Sequence, residues 1–128
     1  MEVRQHALGV LFVLSGELDF DSVVQLHEAA DDELARSKGS LPVVVDCAAL
    51  TFCDSSGISA LLRLYQRLTA EQRALRLAAV PASVSRLFNL TGLDQLFSVH
   101  MDAAEALAAG SHGRGDVEAD QQNEERSA

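Results

Sequence analysis

Four consecutive residues, Asp54-Ser55-Ser56-Gly57, put a carboxylate and two hydroxyls between a strand-like run, Val43-Val44-Val45, and a helix-like run that begins near Ile58. A helix N-terminus leaves its first N–H groups without acceptors and carries about half a positive charge, so it holds anionic groups well. A serine placed there can accept a phosphoryl group. The added charge of about −1.5 to −2 meets N–H donors and the positive end of the dipole, and need not unfold the domain. The same charge facing an acidic partner, or trapped in a desolvated contact, repels. Asp-Ser-Ser-Gly is equally an ordinary helix start, in which the aspartate caps and the serines do nothing more. From these four residues alone both readings stand.

Other reactive residues form no comparable pattern. Cys47 and Cys53 have neither CxxC spacing nor a nearby histidine, which argues against a zinc site or a redox pair and for two small, reduced core residues. His6, His27, His100 and His112 are scattered, and none adjoins Ser55 or Ser56 in sequence. No GxSxG elbow, Walker loop, HExxH or Rossmann glycine pattern occurs, so the chain reads as non-enzymatic, with no cofactor and no metal. A formal charge of −9 opposes nucleic-acid binding, which relies on Lys and Arg neutralising phosphates. Arg63, Arg67, Arg73 and Arg76 come nearest to a basic cluster. They read as a solvated face, with a contact surface for an acidic partner as the alternative. Phe12, Phe20, Phe52, Phe88 and Phe97 are expected to be the larger core fillers. No apolar run is long enough for a signal peptide or membrane span, which points to a cytoplasmic protein that does not engage a membrane.

The elements that must position the DSSG turn follow from hydrophobic periodicity. Val10 to Leu14 reads as a strand ending at Ser15-Gly16, paired with a short edge strand around Val3 to His6. Gly16 to Asp19 leaves the sheet, and Asp19 or Asp21 can cap a helix to about Ser37, with Val23, Leu26, Ala30 and Leu34 on one face and Lys38-Gly39 as its end. Val43-Val44-Val45 lacks polar alternation, which predicts a central strand covered on both faces. Ile58, Leu61, Leu62, Tyr65 and Leu68 form the apolar stripe of the second helix. Leu75 to Val80 is a strand stopped by Pro81, and Val84, Leu87 and Phe88 lie on a third helix ended by Thr91-Gly92. Phe97 to Met101 completes the sheet, and Asp102 caps a last helix to about Ala109. From Gly110 the chain is too poor in apolar residues to offset its ordering entropy and is expected to be a disordered acidic and polar tail. The alternation predicts one α/β domain over residues 1–109, a mixed sheet of about five strands packed with about four helices.

Three segments, in this order and spacing, resemble STAS domains, and among them the bacterial anti-sigma factor antagonists: Ser15-Gly16-Glu17-Leu18-Asp19, Phe52-Cys53-Asp54-Ser55-Ser56-Gly57, and Pro81 to Phe88 followed by Thr91-Gly92-Leu93. The resemblance implies partner switching in transcription regulation. The unphosphorylated antagonist binds an anti-sigma factor that is a serine kinase and so frees the sigma factor; phosphorylation releases it, and a PP2C-type phosphatase resets the cycle. Ser55 matches the phosphoacceptor, with Ser56 as its competitor, and Asp19 matches a contact aspartate. Asp54 would orient the serine and Gly57 would keep its approach clear, so that Asp19, Asp54, Ser55, Ser56 and Gly57 form one partner-binding surface. The alternatives are a STAS scaffold subunit of a stress-signalling complex and a soluble subunit of a lipid ABC transporter.

Overall fold

The computed structural model describes residues 1–36 and 41–109. Strand β1 (Glu2–His6) turns back into β2 (Gly9–Leu18); then come α1 (Val23–Arg36), β3 (Val43–Cys53), α2 (Ser55–Ala70), β4 (Leu75–Ala78), α3 (Ala82–Thr91), a 3-10 turn at Leu93–Gln95, β5 (Ser98–His100) and α4 (Ala103–Ala109). The strands lie side by side in chain order, β1 antiparallel to β2 and the rest parallel. This is the mixed α/β sheet that the alternation predicts. The expected Lys38-Gly39 helix end and the tail from Gly110 lie outside the described residues.

Strand register explains the two-sided core. Val10 pairs with Val43 and Val43 with Leu75; Phe12 pairs with Val45 and Val45 with Leu77. All six side chains are buried on one face, beneath Leu26 and Ala30 of α1, Leu61, Leu64 and Leu68 of α2, and Val84 and Phe88 of α3. Because side chains alternate along a strand, Leu11, Val44 and Ala78 turn to the other face, where Ala106 and Leu107 of α4 cover them. Val43-Val44-Val45 is therefore apolar throughout, as a central strand must be. With each large apolar side chain stabilising by roughly 1.5–3 kcal/mol when fully buried, the three-helix face carries most of the core.

Several boundaries differ from expectation. β2 does not stop at Ser15-Gly16 but stays paired with β3 as far as Leu18, because two register shifts, at Val13/Ser15 and Gly16/Glu17, absorb the turn-forming residues. Gly16 takes a left-handed φ of 74° there, open to glycine at little cost. β4 ends early, at Ala78, because Ala79 adopts a φ of 54° and leads the chain out of the sheet before Pro81. Gly92 ends α3 in the left-handed conformation that the Thr91-Gly92 signal implied, and Asp102 Oδ1 caps α4 by accepting from Glu105 N at 2.8 Å.

The basic cluster is not one solvated face. Arg73 is buried with Glu33 of α1, Nη2 to Oε2 3.0 Å, and its Nε donates to the Leu41 carbonyl at 2.8 Å; the two side chains are 1% and 2% exposed. Arg76 lies half-buried under α4 and donates to the Ala106 carbonyl at 3.2 Å, and burial pushes its pKa down. Arg67 reaches Asp31 of α1 at 2.8 Å. Helical phase and charge could not reveal this, since each arginine answers to a different neighbour brought in by the fold. Of the four, Arg63 alone is both exposed and without an ion pair among the described residues.

Cys47 and Cys53 are buried free thiols, and desolvation pushes them up to about 12 and about 11. Thiolate is the reactive form, so the native protein at pH 8 should leave a disulfide reagent almost unconsumed over minutes, whereas guanidinium-unfolded chain should release two equivalents. A second measurement tests the buried ion pair. Removing one partner strands a desolvated charge, so Glu33→Ala should lose about 3–5 kcal/mol in urea unfolding, and Glu33→Leu with Arg73→Met should recover most of it. A single-mutant loss below about 1 kcal/mol would mean that water reaches Arg73.

Candidate functional site

β2 and β3 are paired as far as Leu18 and Cys53, so the next residues, Asp19 and Asp54, leave adjacent strand ends side by side. Both aspartates therefore lie at one end of the sheet. Asp54 N donates to the Leu18 carbonyl at 3.3 Å. Asp54 has extended backbone angles and caps α2: its Oδ1 accepts from Gly57 N at 3.1 Å, while its carbonyl accepts from Ile58 N at 3.0 Å. Those bonds use the third and fourth N–H groups of the helix. The N–H groups of Ser55 and Ser56 remain directed at the helix mouth without an acceptor among the described residues. Ser55 is exposed and Ser56 half-buried, so the Ser55 hydroxyl is the more accessible of the two.

Asp19 is fixed in the same manner. Its Oδ1 accepts from Asp21 N at 3.1 Å and from Ser22 N at 3.0 Å, and its carbonyl accepts from Val23 N at 2.9 Å as α1 begins. The N–H of Ser22, and then its hydroxyl, hold the Asp19 carboxyl below the usual carboxylate range. Of the two capping candidates, Asp19 serves.

Gly57 has a different role from the one its neighbourhood suggested. It is buried, and a Cβ there would stand 2.5 Å from the Leu18 carbonyl oxygen and 2.7 Å from Cys53 Sγ. The missing side chain lets α2 press against the end of β2; access to Ser55 is not what it provides.

Phe20 and Phe52, expected in the core, are 75% and 49% exposed. Each adjoins a strand end beside the turn, Phe20 next to Asp19 and Phe52 two residues before Asp54. Val24 of α1 is also largely in water. Apolar surface at this edge thus surrounds polar groups already fixed by hydrogen bonds. The aromatic residues escaped the sequence reading because composition cannot separate a core filler from a contact residue. Strand parity would not have found Phe52 either, since two register shifts interrupt the alternation of β3 before it.

Between α1 and α2 runs an open groove of about 490 Å³, lined by Phe20, Val23, His27, Ser55, Ser56 and Arg63 among others. His27 enters it, yet no hydrogen bond joins it to either serine, so no nucleophile–base pair is assembled among the described residues. Nor do three or more His, Cys, Asp or Glu side chains converge there as metal ligands. No helix among the described residues is long and apolar enough to cross a membrane.

Residues 1–101 match a family model described as the Mlab, STAS domain. The chain is 29% identical over 104 residues to the anti-sigma F factor antagonist of Paenibacillus polymyxa, covering 80% of this chain and 88% of that one. It is 30% identical over 87 residues to the anti-sigma-B factor antagonist of Staphylococcus epidermidis, covering 68% and 79%. A crystal structure of an anti-sigma factor antagonist from Mycobacterium paratuberculosis superposes with a TM-score of 0.74 at 29% identity, over 86% of this chain and 92% of that one.

The packing of the turn makes a ranked prediction. Asp54→Ala removes one cap and should cost about 1 kcal/mol, whereas Gly57→Ala must displace the Leu18 backbone and should cost about 2 kcal/mol or more. Urea midpoints in the reverse order would show that α2 is not seated through Gly57.

Proposed function

This chain belongs to the STAS domain family, and we propose that it acts as an anti-sigma factor antagonist in a partner-switching pathway, with Ser55 as the phosphoacceptor. The observation that carries this reading is the exposed Ser55 hydroxyl on a turn fixed by Asp54 and Gly57, at an edge where Phe20 and Phe52 offer apolar contact surface. The unphosphorylated chain binds a serine-kinase anti-sigma factor across this edge, which displaces the sigma factor. The kinase then moves the γ-phosphoryl group of ATP to Ser55 Oγ: the bond to ADP breaks, the ester bond forms and the hydroxyl proton leaves to a base on the kinase. A phosphate at the centre of a contact flanked by Asp19, Asp54 and two aromatic rings is repelled and partly desolvated, and the complex separates. A PP2C-type phosphatase hydrolyses the ester. Ser55 is a substrate throughout, and this chain needs no catalytic group or cofactor of its own.

A second reading has an observation of its own. Leu90 of α3 and Leu96, Val99 and Met101 in and beside the edge strand β5 are exposed apolar residues. A lasting subunit of a larger assembly, whether a stress-signalling scaffold or a lipid ABC transporter, would cover such a patch.

Incubation with ATP and a candidate anti-sigma kinase, followed by mapping of the phosphorylated residue, separates the two. Phosphate should appear on Ser55, be lost in Ser55→Ala and persist in Ser56→Ala. Ser55→Ala should bind the kinase as the wild type does, and Ser55→Asp should bind at least about tenfold more weakly. Phe20→Ala should weaken binding by roughly 1–2 kcal/mol without changing the unfolding midpoint, because so little of that ring is buried in the free protein. An unmodified Ser55 together with stable binding to a transporter ATPase would overturn the antagonist reading.

A further inference from the structure

The loop that carries Asp19 and Phe20 centres on one hydroxyl. Ser22 Oγ accepts from Asp19 N–H at 2.8 Å, and its own proton has the Glu17 carbonyl at 2.7 Å and Asp19 Oδ1 at 3.0 Å as acceptors. Asp19 Oδ1 in turn accepts from Ser22 N at 3.0 Å. Aspartate and serine thus satisfy each other's backbone N–H, the reciprocal bonding of a capping box, with serine in the place usually taken by glutamate or glutamine. Phe20 and Asp21 are the residues spanned by this ring. The bond to Glu17 extends it backward into β2, whose last residues are flanked by β3 alone, because β1 stops pairing at Val13.

Packing does little to place this loop. Glu17, Phe20 and Asp21 are exposed. A cavity of about 160 Å³ lies beside it, lined by Leu14, Leu18, Leu50, Glu17, Ser22 and Gln25 among others. A segment with open space on one side and solvent on the other can shift once its hydrogen bonds are lost.

We propose that Ser22 is the positioning residue of the partner-binding edge, its hydroxyl fixing the carboxylate of Asp19 and the ring of Phe20 in the arrangement that the anti-sigma factor meets. This rests on the reading of that edge as the antagonist's contact surface. Two contacts of different kinds, one charged and one apolar, are then set by a side chain that acts through them. Preorganisation gives the reason: a loop ordered before association loses less freedom on binding, so the hydroxyl contributes to affinity without adding contact area. The same hydroxyl steadies Asp19 as an anion. Its donation to the carboxylate, after that of the Ser22 N–H, favours the ionised form, so the position and the charge of Asp19 depend on one atom.

Threonine and valine at position 22 separate hydroxyl from shape, since both branch at Cβ and differ by little else in volume. The cavity beside Ser22 has room for the added methyl. In the full chain, the Asp19 carboxyl is titrated by 13C NMR, and binding to the anti-sigma kinase is measured by calorimetry, for wild type, Ser22→Thr, Ser22→Val and Ser22→Ala. Ser22→Thr should keep the low titration of Asp19 and bind within about twofold of wild type, while Ser22→Val and Ser22→Ala should titrate closer to an ordinary aspartate and bind about fivefold or more weakly. Ser22→Ala supplies the same comparison if branching at Cβ prevents folding. Coincident Asp19 titrations in wild type and a folded variant lacking the hydroxyl, or undiminished affinity in that variant, would overturn the proposal. A wild-type chain whose Asp19 titrates as expected yet which binds no anti-sigma kinase would overturn the functional reading instead.

Discussion

The contact between Gly57 and the end of β2 fixes the geometry of everything at the functional edge. The Leu18 carbonyl accepts the Asp54 N–H at 3.3 Å and lies where a Gly57 Cβ would have to be, so strand end and helix start are joined with no room for a side chain. Through that joint the pairing of Leu18 with Cys53 is passed on to Asp19 and Asp54, and from them to α1 and α2. The serine hydroxyls are placed by backbone, and no flexible side chain intervenes. A serine proposed to carry and lose a phosphate without disturbing the fold would need such a footing, because marginally stable domains have little free energy in reserve.

Much of this was legible in the residues. Apolar periodicity and turn chemistry located all five strands and four helices, since Val43-Val44-Val45, the Leu26 and Ala30 stripe and the Thr91-Gly92 stop each depend on local geometry and burial alone. The turn of Asp54 to Gly57 could be recognised because capping is also local. What could not be read is what depends on contacts across the chain. Arg73 looks like any surface arginine until Glu33, forty positions earlier, is brought against it. Phe20 and Phe52 look like core residues until the sheet ends beneath them. Gly57 shows the same limit: the turn marks the position, but the carbonyl that requires a glycine there belongs to another strand.

The edge also illustrates how a mostly acidic chain can present a selective surface. Its carboxylates are not spread evenly around Ser55; two are spent on capping helices, and their fixed positions leave the remaining field directional. Exposed aromatic rings beside fixed charges favour a partner that is apolar at the centre and cationic toward the loop side. Such a surface can discriminate by charge while deriving its affinity from burial.

The Glu33–Arg73 pair has a consequence for motion. Glu33 belongs to α1, the outer wall of the groove, and its partner sits in the connection from α2 to β4. If the last turns of α1 were to peel away, the ion pair would be lost together with the packing of Ala30, so opening of this helix is opposed by buried contacts as well as by its own backbone hydrogen bonds. Amide protons in the second half of α1 are accordingly expected to exchange more slowly than those of an unanchored helix end. The groove beside Ser55 is thus walled by a helix anchored from behind, which holds the groove to one shape.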